Sequence, residues 1–175
     1  MLTSSVKVRI SLTGDEMKKI TNSAYNAGGD LRNYLTEKST EALAKADMDG
    51  SYNTSKLIQY NTAQGINNTT YAAPYCKAFQ FNFPNGQQGY LGSCGQLYTI
   101  FQNITEINNC MTACNGILIQ NTWYWTSTYA LLASNGLHCI WGINPYNRAL
   151  YYSYGHYQEG DASTSYRVRP IANYS

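Results

Sequence analysis

The signals in this chain change once along its length, from helix-period patterns in the first two-thirds to strand-like runs after Trp123. The chain therefore carries both helix-period and strand-like segments, in largely separate stretches. The final runs cover 123–127, 137–143, 150–154 and 166–171, with turn residues between them. In the second run Cys139, Trp141 and Ile143 share one face, and His138, Ile140 and Gly142 share the other. Trp141 is therefore expected in the core. Asn144-Pro145-Tyr146-Asn147-Arg148 is expected to be the connecting turn.

The earlier part has its own punctuation. VKVRISL at 6–12 alternates and predicts a short strand. Thr13 and Glu16 form a T-x-x-E capping box that predicts a helix to about Thr21. Asp30 caps a predicted second helix carrying Leu31, Tyr34, Leu35, Ala42, Leu43 and Ala46. Asn53 or Thr54 is expected to cap a short helix to Tyr60, followed by a polar loop at 62–70. Helical spacing returns at Ala72, Tyr75, Cys76 and Phe79, and Asn85-Gly86 marks a turn. Ser93 and Gln96 form an S-x-x-Q box opening a helix over 93–102, with a shorter helical segment at 106–114.

Hydrophobic residues make up 43% of the 175 positions, enough for one domain with a real core. Net charge is only +2, which gives no electrostatic case for nucleic acid or an anionic membrane. No run of about 18 apolar residues is present, so no membrane span is expected, and the N-terminus lacks the apolar stretch of a secretory signal. Fifteen of the 22 charged residues fall in 1–60, no Lys follows Lys77, and nine of the 17 Tyr fall in 124–175. Tyr offers a large, stiff, amphipathic surface suited to recognition, and it also fills half-buried strand positions.

The residues that could carry chemistry are few. Five Cys stand at 76, 94, 110, 114 and 139 without a CxxC pair. Cys110 and Cys114 share a helix face and could form half a metal site, but with two His and no second thiol pair, small buried hydrophobes are the preferred reading. Asp47-Met48-Asp49-Gly50 resembles the opening of a calcium loop, yet the later oxygen ligands are missing, so a turn is expected. His138 and His156 lie in the Tyr-rich interval, and no GxSxG, HExxH or phosphate-cradling motif occurs. No catalytic residue, cofactor or metal is therefore expected.

Three phrases stand in order: GYLGSCGQL at 89–97, YWTST at 124–128 and YRVRPI at 166–171. Together with DMDGSYNTSKLI at 47–58 and AAPYCKAF at 72–79, they resemble the C-type-lectin-like domains of gut Bacteroidales surface and phage proteins. The chain departs from that pattern with Gly92 where Pro is common and Gln96 where Glu is common. The resemblance implies an α+β, C-type-lectin-like fold: a small twisted antiparallel sheet, flanking helices and a short N-terminal extension. It places the lectin-like domain at 47–175, with residues 1–46 as a strand and helix extension that could serve oligomerisation.

Relatives of this kind include the variable proteins of diversity-generating retroelements, in which adenine-containing codons near the 3′ end are rewritten. AAY codons can become Tyr, Ser, Asp, His, Leu, Arg and others, but not Lys, Glu, Gln or Trp. Residues 129–157 contain no Lys, Glu or Gln, which fits that pattern within a Tyr-rich variable region at about 124–171. The resemblance thus implies a non-catalytic ligand- or receptor-binding protein of a phage particle or bacterial surface. The expected contacts are Tyr129, Leu132, His138, Asn144, Tyr146, Asn147, Arg148, Tyr152, Tyr154, His156 and Tyr157. Tyr151 is expected to lie further inward than its neighbours, and Arg167 and Arg169 to brace the scaffold. The partner would be a protein or glycan on a cell surface; metal-independent sugar binding and a structural or assembly role remain alternatives.

Overall fold

The computed structural model describes residues 7–10, 16–18, 31–63, 71–81, 88–132, 137–154 and 166–174. The elements in chain order are β1 (Lys7–Ile10), β2 (Glu16–Lys18), α1 (Glu41–Ala46), α2 (Gly50–Ala63), α3 (Ala72–Ala78), β3 (Tyr90–Leu91), α4 (Cys94–Phe101), α5 (Ile104–Ala113), β4 (Tyr124–Leu132), β5 (Leu137–Ile143), β6 (Leu150–Tyr154), β7 (Tyr166–Val168) and β8 (Pro170–Tyr174). They form an α+β structure with two sheets. One has the order β1-β8-β3, the other β2-β7-β4-β5-β6. The larger sheet is mixed rather than wholly antiparallel, because β4 and β7 run parallel where Tyr124 meets Arg167.

Several local expectations give way to tertiary pairing. Residues Glu16–Lys18, expected in a helix, instead form an antiparallel ladder with β7; the rest of that expected helix lies outside the described residues. The single helix expected from Asp30 to Ala46 is a 3-10 turn at Leu31–Asn33 and a separate α1. Between them the chain runs along β4: Lys38 N–H donates to the Tyr129 carbonyl at 2.9 Å, and Leu131 N–H donates to Ser39 Oγ at 3.0 Å. Those bonds require an extended backbone there, so α1 restarts at Thr40, whose side chain caps it.

Helix α2 begins at Gly50, so Asn53 and Thr54 lie inside it instead of capping it. The expected last strand is divided at Arg169 between the two sheets. Arg169 is 1% exposed, and its guanidinium donates to the Ile117 carbonyl at 3.0 Å and the Leu118 carbonyl at 3.3 Å, the bracing role expected of it.

The middle of the larger sheet is covered on both faces. Trp125, Tyr129 and Ile140 pack with Leu57, Tyr60, Ala72, Ala73 and Cys76 of α2 and α3. On the other face Ala130, Cys139 and Trp141 pack with Ala44 and Cys94 of α1 and α4. Trp141 is core, as expected, and its indole N–H donates to the Lys38 carbonyl at 2.7 Å. A third cluster of Leu97, Phe101, Tyr124, Ile143 and Ile171 joins the two sheets. Residues before 47 supply strands to both sheets and place Leu31, Leu35 and Ala44 in the core, so a boundary at 46/47 runs through packed structure.

Three of the sequence phrases meet at one buried aspartate. Asp47, 5% exposed, accepts from Asn53 Nδ2 at 2.9 Å, Thr128 Oγ1 at 2.7 Å and Asp49 N–H at 3.0 Å. Its backbone carbonyl accepts from Ser93 Oγ at 2.7 Å and Gly95 N–H at 3.0 Å. Thr128 lies in a bulge: Trp125 opposes Gly142 and Tyr129 opposes Ile140, so β4 carries extra residues there. This explains a buried, polar Thr-Ser-Thr within a strand, since Thr126 Oγ1 donates to the Trp141 carbonyl at 2.8 Å and Ser127 N–H to the Gly92 carbonyl at 2.9 Å.

Gly50 permits the close approach at this junction. A Cβ there would stand 2.2 Å from Gln96 Oε1 and 2.6 Å from the Ser93 nitrogen. Gln96 meanwhile closes the expected capping box by accepting from Ser93 N–H at 3.1 Å.

Asp47→Ala would leave the buried Asn53 and Thr128 without their carboxylate partner. It is expected to lower stability by about 3 kcal/mol in urea unfolding. A stability change within about 0.5 kcal/mol, as at an ordinary surface site, would refute the junction's importance.

Candidate ligand-binding surface

The turn after β5 presents side chains because its own polar groups hold the backbone. Asn144 N–H donates to the Ala149 carbonyl at 3.0 Å, closing the loop. Asn144 Oδ1 accepts from Tyr146 N–H at 3.0 Å, and Asn147 Oδ1 accepts from Ala149 N–H at 2.9 Å. These are local side-chain bonds of the kind that make Asn a turn former. Arg148 adopts φ 56°, in the left-handed region. Pro145 is buried beneath, while Tyr146, Asn147 and Arg148 are exposed, Tyr146 at 49%.

The neighbouring edge strand adds an aromatic series that runs from solvent to core. Tyr151 is 55% exposed and pairs with Gly142. Its ring lies 6.1 Å from that of Trp123, which stacks on Tyr166 at 6.0 Å, and Tyr166 in turn meets Trp125 at 4.3 Å. Gly142 makes this possible: a Cβ there would come within 2.8 Å of the Tyr166 ring. Aromatic pairs at such separations contribute about 0.5–1.5 kcal/mol beyond burial.

The expected contact residues separate into three groups. Tyr146, Asn147 and Arg148 are brought together on the exposed turn, with Asn144 beside them. Asn144 is half-buried, and its carboxamide is engaged by the turn and by Asn121 Oδ1 at 3.2 Å. Tyr129 is a correction: it is 1% exposed, packed against α2 and α3, because its strand position faces the same side as Ile140. Its hydroxyl shares a hydrogen bond with His138 Nδ1 at 2.8 Å, so His138, half-buried, leans on the core residue.

The side chains of Leu132, Tyr152 and Tyr154 fall outside those described, although the backbone register sets Tyr152 opposite Trp141 and Tyr154 opposite Cys139. His156 and Tyr157 lie outside the described residues.

Tyr151 is a second correction, since it faces outward where an inward position was expected. It belongs to an edge strand, whose far side no other strand covers among the described residues. Trp123 and Tyr166 were missed as site residues altogether. The signal that could have found them is Gly142, because a glycine inside a strand marks a close approach by another group.

This surface offers stacking rings, amide groups and one guanidinium, which suit non-covalent recognition. Among the described residues, no group of three or more His, Cys, Asp or Glu is placed to hold a metal ion. The Asp47 carboxylate, at the sequence that resembles a calcium loop, is already engaged by three donors.

Tyr129→Ala is expected to cost about 3–5 kcal/mol in thermal or urea unfolding, as removal of a buried aromatic side chain does. Tyr146→Ala should stay within about 0.5 kcal/mol of the parent. Comparable losses at both positions would contradict the division between core and surface. Comparison with protein-family models, curated proteins and solved structures returns no match for this chain.

Proposed function

We propose that this chain is a non-catalytic ligand- or receptor-binding protein, a C-type-lectin-like scaffold whose contact surface is the 144–148 turn and the adjoining β6 edge. The observation that carries it is the grouping of exposed Tyr146, Asn147, Arg148 and Tyr151 on a backbone held by local hydrogen bonds and a two-sided core. Tyr and Arg are the residue types that dominate interface energetics, and a preformed loop loses little entropy on binding. Tyr152, Tyr154, His156 and Tyr157 follow along the same strand and the chain beyond it, and they belong to the proposed contact set.

The surface is of the hypervariable kind found in retroelement variable proteins, displayed on a phage particle or a bacterial surface and directed at a protein or glycan on a cell. Supporting this are the resemblance of the ordered phrases and the absence of Lys, Glu and Gln from 129–157. Within that interval Tyr129, Ala130, Cys139, Ile140, Trp141, Gly142 and Ile143 are buried and serve as frame, so variation belongs to exposed positions such as Tyr146, Asn147, Arg148 and Tyr151.

Replacing Tyr146 and Tyr151 by Ala should weaken binding to the target cell or glycan by about 30-fold or more, about 2 kcal/mol for a good anchor, with the fold retained and a stability loss of no more than about 1.5 kcal/mol from the Tyr151–Trp123 contact. Unchanged binding by the folded variant would remove the proposed site. A near-copy of the 3′ coding repeat beside a reverse-transcriptase gene, differing at adenines, would support diversification; its absence would leave only the binding reading.

One observation favours an assembly role as the second reading. Leu43, Met48 and Tyr52 are large apolar side chains exposed at 48%, 52% and 57% around the start of α2. Light-scattering mass of the intact chain and of a Leu43→Lys, Tyr52→Lys variant separates the two readings. An oligomer that the variant loses favours assembly, whereas a monomer in both leaves binding as the sole role.

A further inference from the structure

The cysteines divide by environment, contrary to the expectation that all five are small buried hydrophobes. Cys76, Cys94 and Cys139 are buried, whereas Cys110 and Cys114 are exposed. Burial pushes the Cys94 thiol up to about 12, helped by the nearby Asp47 carboxylate, and the Cys139 thiol up to about 11. Those two remain protonated and poorly reactive at neutral pH. Cys110 and Cys114, by contrast, are open to solvent.

The backbone holds that pair at a defined spacing. Cys114 N–H still donates to the Cys110 carbonyl at 3.0 Å, so one full α-helical turn separates them. Helix α5 then ends in a Schellman arrangement: Gly116 N–H donates to the Met111 carbonyl at 2.7 Å, Asn115 N–H to the Thr112 carbonyl at 3.2 Å, and Asn115 takes φ 53°. Asn108 fastens the chain that follows, accepting from Ile119 N–H at 2.8 Å and donating to its carbonyl at 3.2 Å. Met111, between the two cysteines, is buried. The thiols are therefore carried by a capped and anchored helix end.

That spacing discriminates between two thiol chemistries. Residues four apart on a helix have Cβ atoms about 5–6 Å apart. A disulfide needs about 3.5–4.5 Å, which this intact turn does not supply. A tetrahedral soft ion with bonds to sulfur of about 2.3 Å holds its two sulfurs about 3.8 Å apart, within reach when both side chains lean inward.

We propose that Cys110 and Cys114 form a bidentate dithiol site for a soft thiophilic centre, a d10 cation or a trivalent arsenical, and that they chelate it rather than forming a disulfide with each other. With an organoarsenic oxide the step is redox-neutral: two As–S bonds form, the As=O bond is lost, and both thiol protons leave with the oxygen as water. With a divalent cation two thiolates replace two bound waters and two protons are released.

The test uses the full folded chain and phenylarsine oxide. One arsenical per chain should bind with loss of two titratable thiols, resist excess 2-mercaptoethanol and be removed by 2,3-dimercaptopropanol. Cys110→Ser and Cys114→Ser should each keep one reactive thiol and retain the arsenical at least about tenfold less well against 2-mercaptoethanol, because the second thiol no longer acts intramolecularly. Cadmium should give a thiolate charge-transfer absorption in the parent that is diminished in both variants. Equal retention by parent and single variants would overturn the proposal. So would a Cys110–Cys114 disulfide recovered from mildly oxidised, still-folded protein.

Discussion

Asp47 ties three separate segments of this chain to one buried point. Asp47 receives donors from α2 and β4, while its backbone carbonyl receives donors from the start of α4. Taking a charge out of water costs several kcal/mol, and only convergent donors repay it. The segments supplying those donors are therefore held to one arrangement, since separation of any one leaves a polar group stranded. The glycines at 50 and 95 belong to the same constraint. A Cβ on Gly95 would stand 2.4 Å from the Asp47 carbonyl oxygen, so a side chain would push α4 away from the carboxylate.

From that junction follows the form of the exposed surface. The bulge at 126–128 is pinned on one side to Asp47 and on the other to Trp141, which places β5 between two layers of packed side chains. A strand covered on both faces has no freedom to present contacts. Presentation passes to the element after it, the 144–148 turn, and to the edge strand β6. Under the proposed binding role, stability resides in Trp125, Tyr129, Ile140 and Trp141, and recognition in residues whose replacement leaves that core intact. The aromatic series from Tyr151 to Trp125 connects the two regions, because its outer ring meets solvent and its inner ring is core.

The helical signals were legible where they depended on neighbours in sequence. The Ser93–Gln96 box and the apolar spacing of Ala72, Tyr75 and Cys76 are local, and both helices formed where expected. Local signals failed where a distant strand offered a stronger pairing. Glu16 completes a convincing capping box and still lies in a ladder with β7. Lys38 sits within a helical period and is drawn out by the edge of β4. Exposure was legible in the same partial way: the 144–148 turn was read from its turn residues, and its Tyr146, Asn147 and Arg148 are exposed, whereas Tyr129 is buried and Tyr151 is exposed, against expectation.

Read without its neighbours in space, the chain already shows its separate helical and strand stretches, the core role of Trp141 and the turn that carries the exposed Tyr and Arg. These rest on periodicity and turn propensity, which act over a few residues. Packing sets which face of each strand meets solvent, where Asp47 finds its donors, and which cysteines are buried. Those outcomes depend on what packs from elsewhere in the chain. Alternation names two faces of a strand, and the neighbours in space decide which of them is covered.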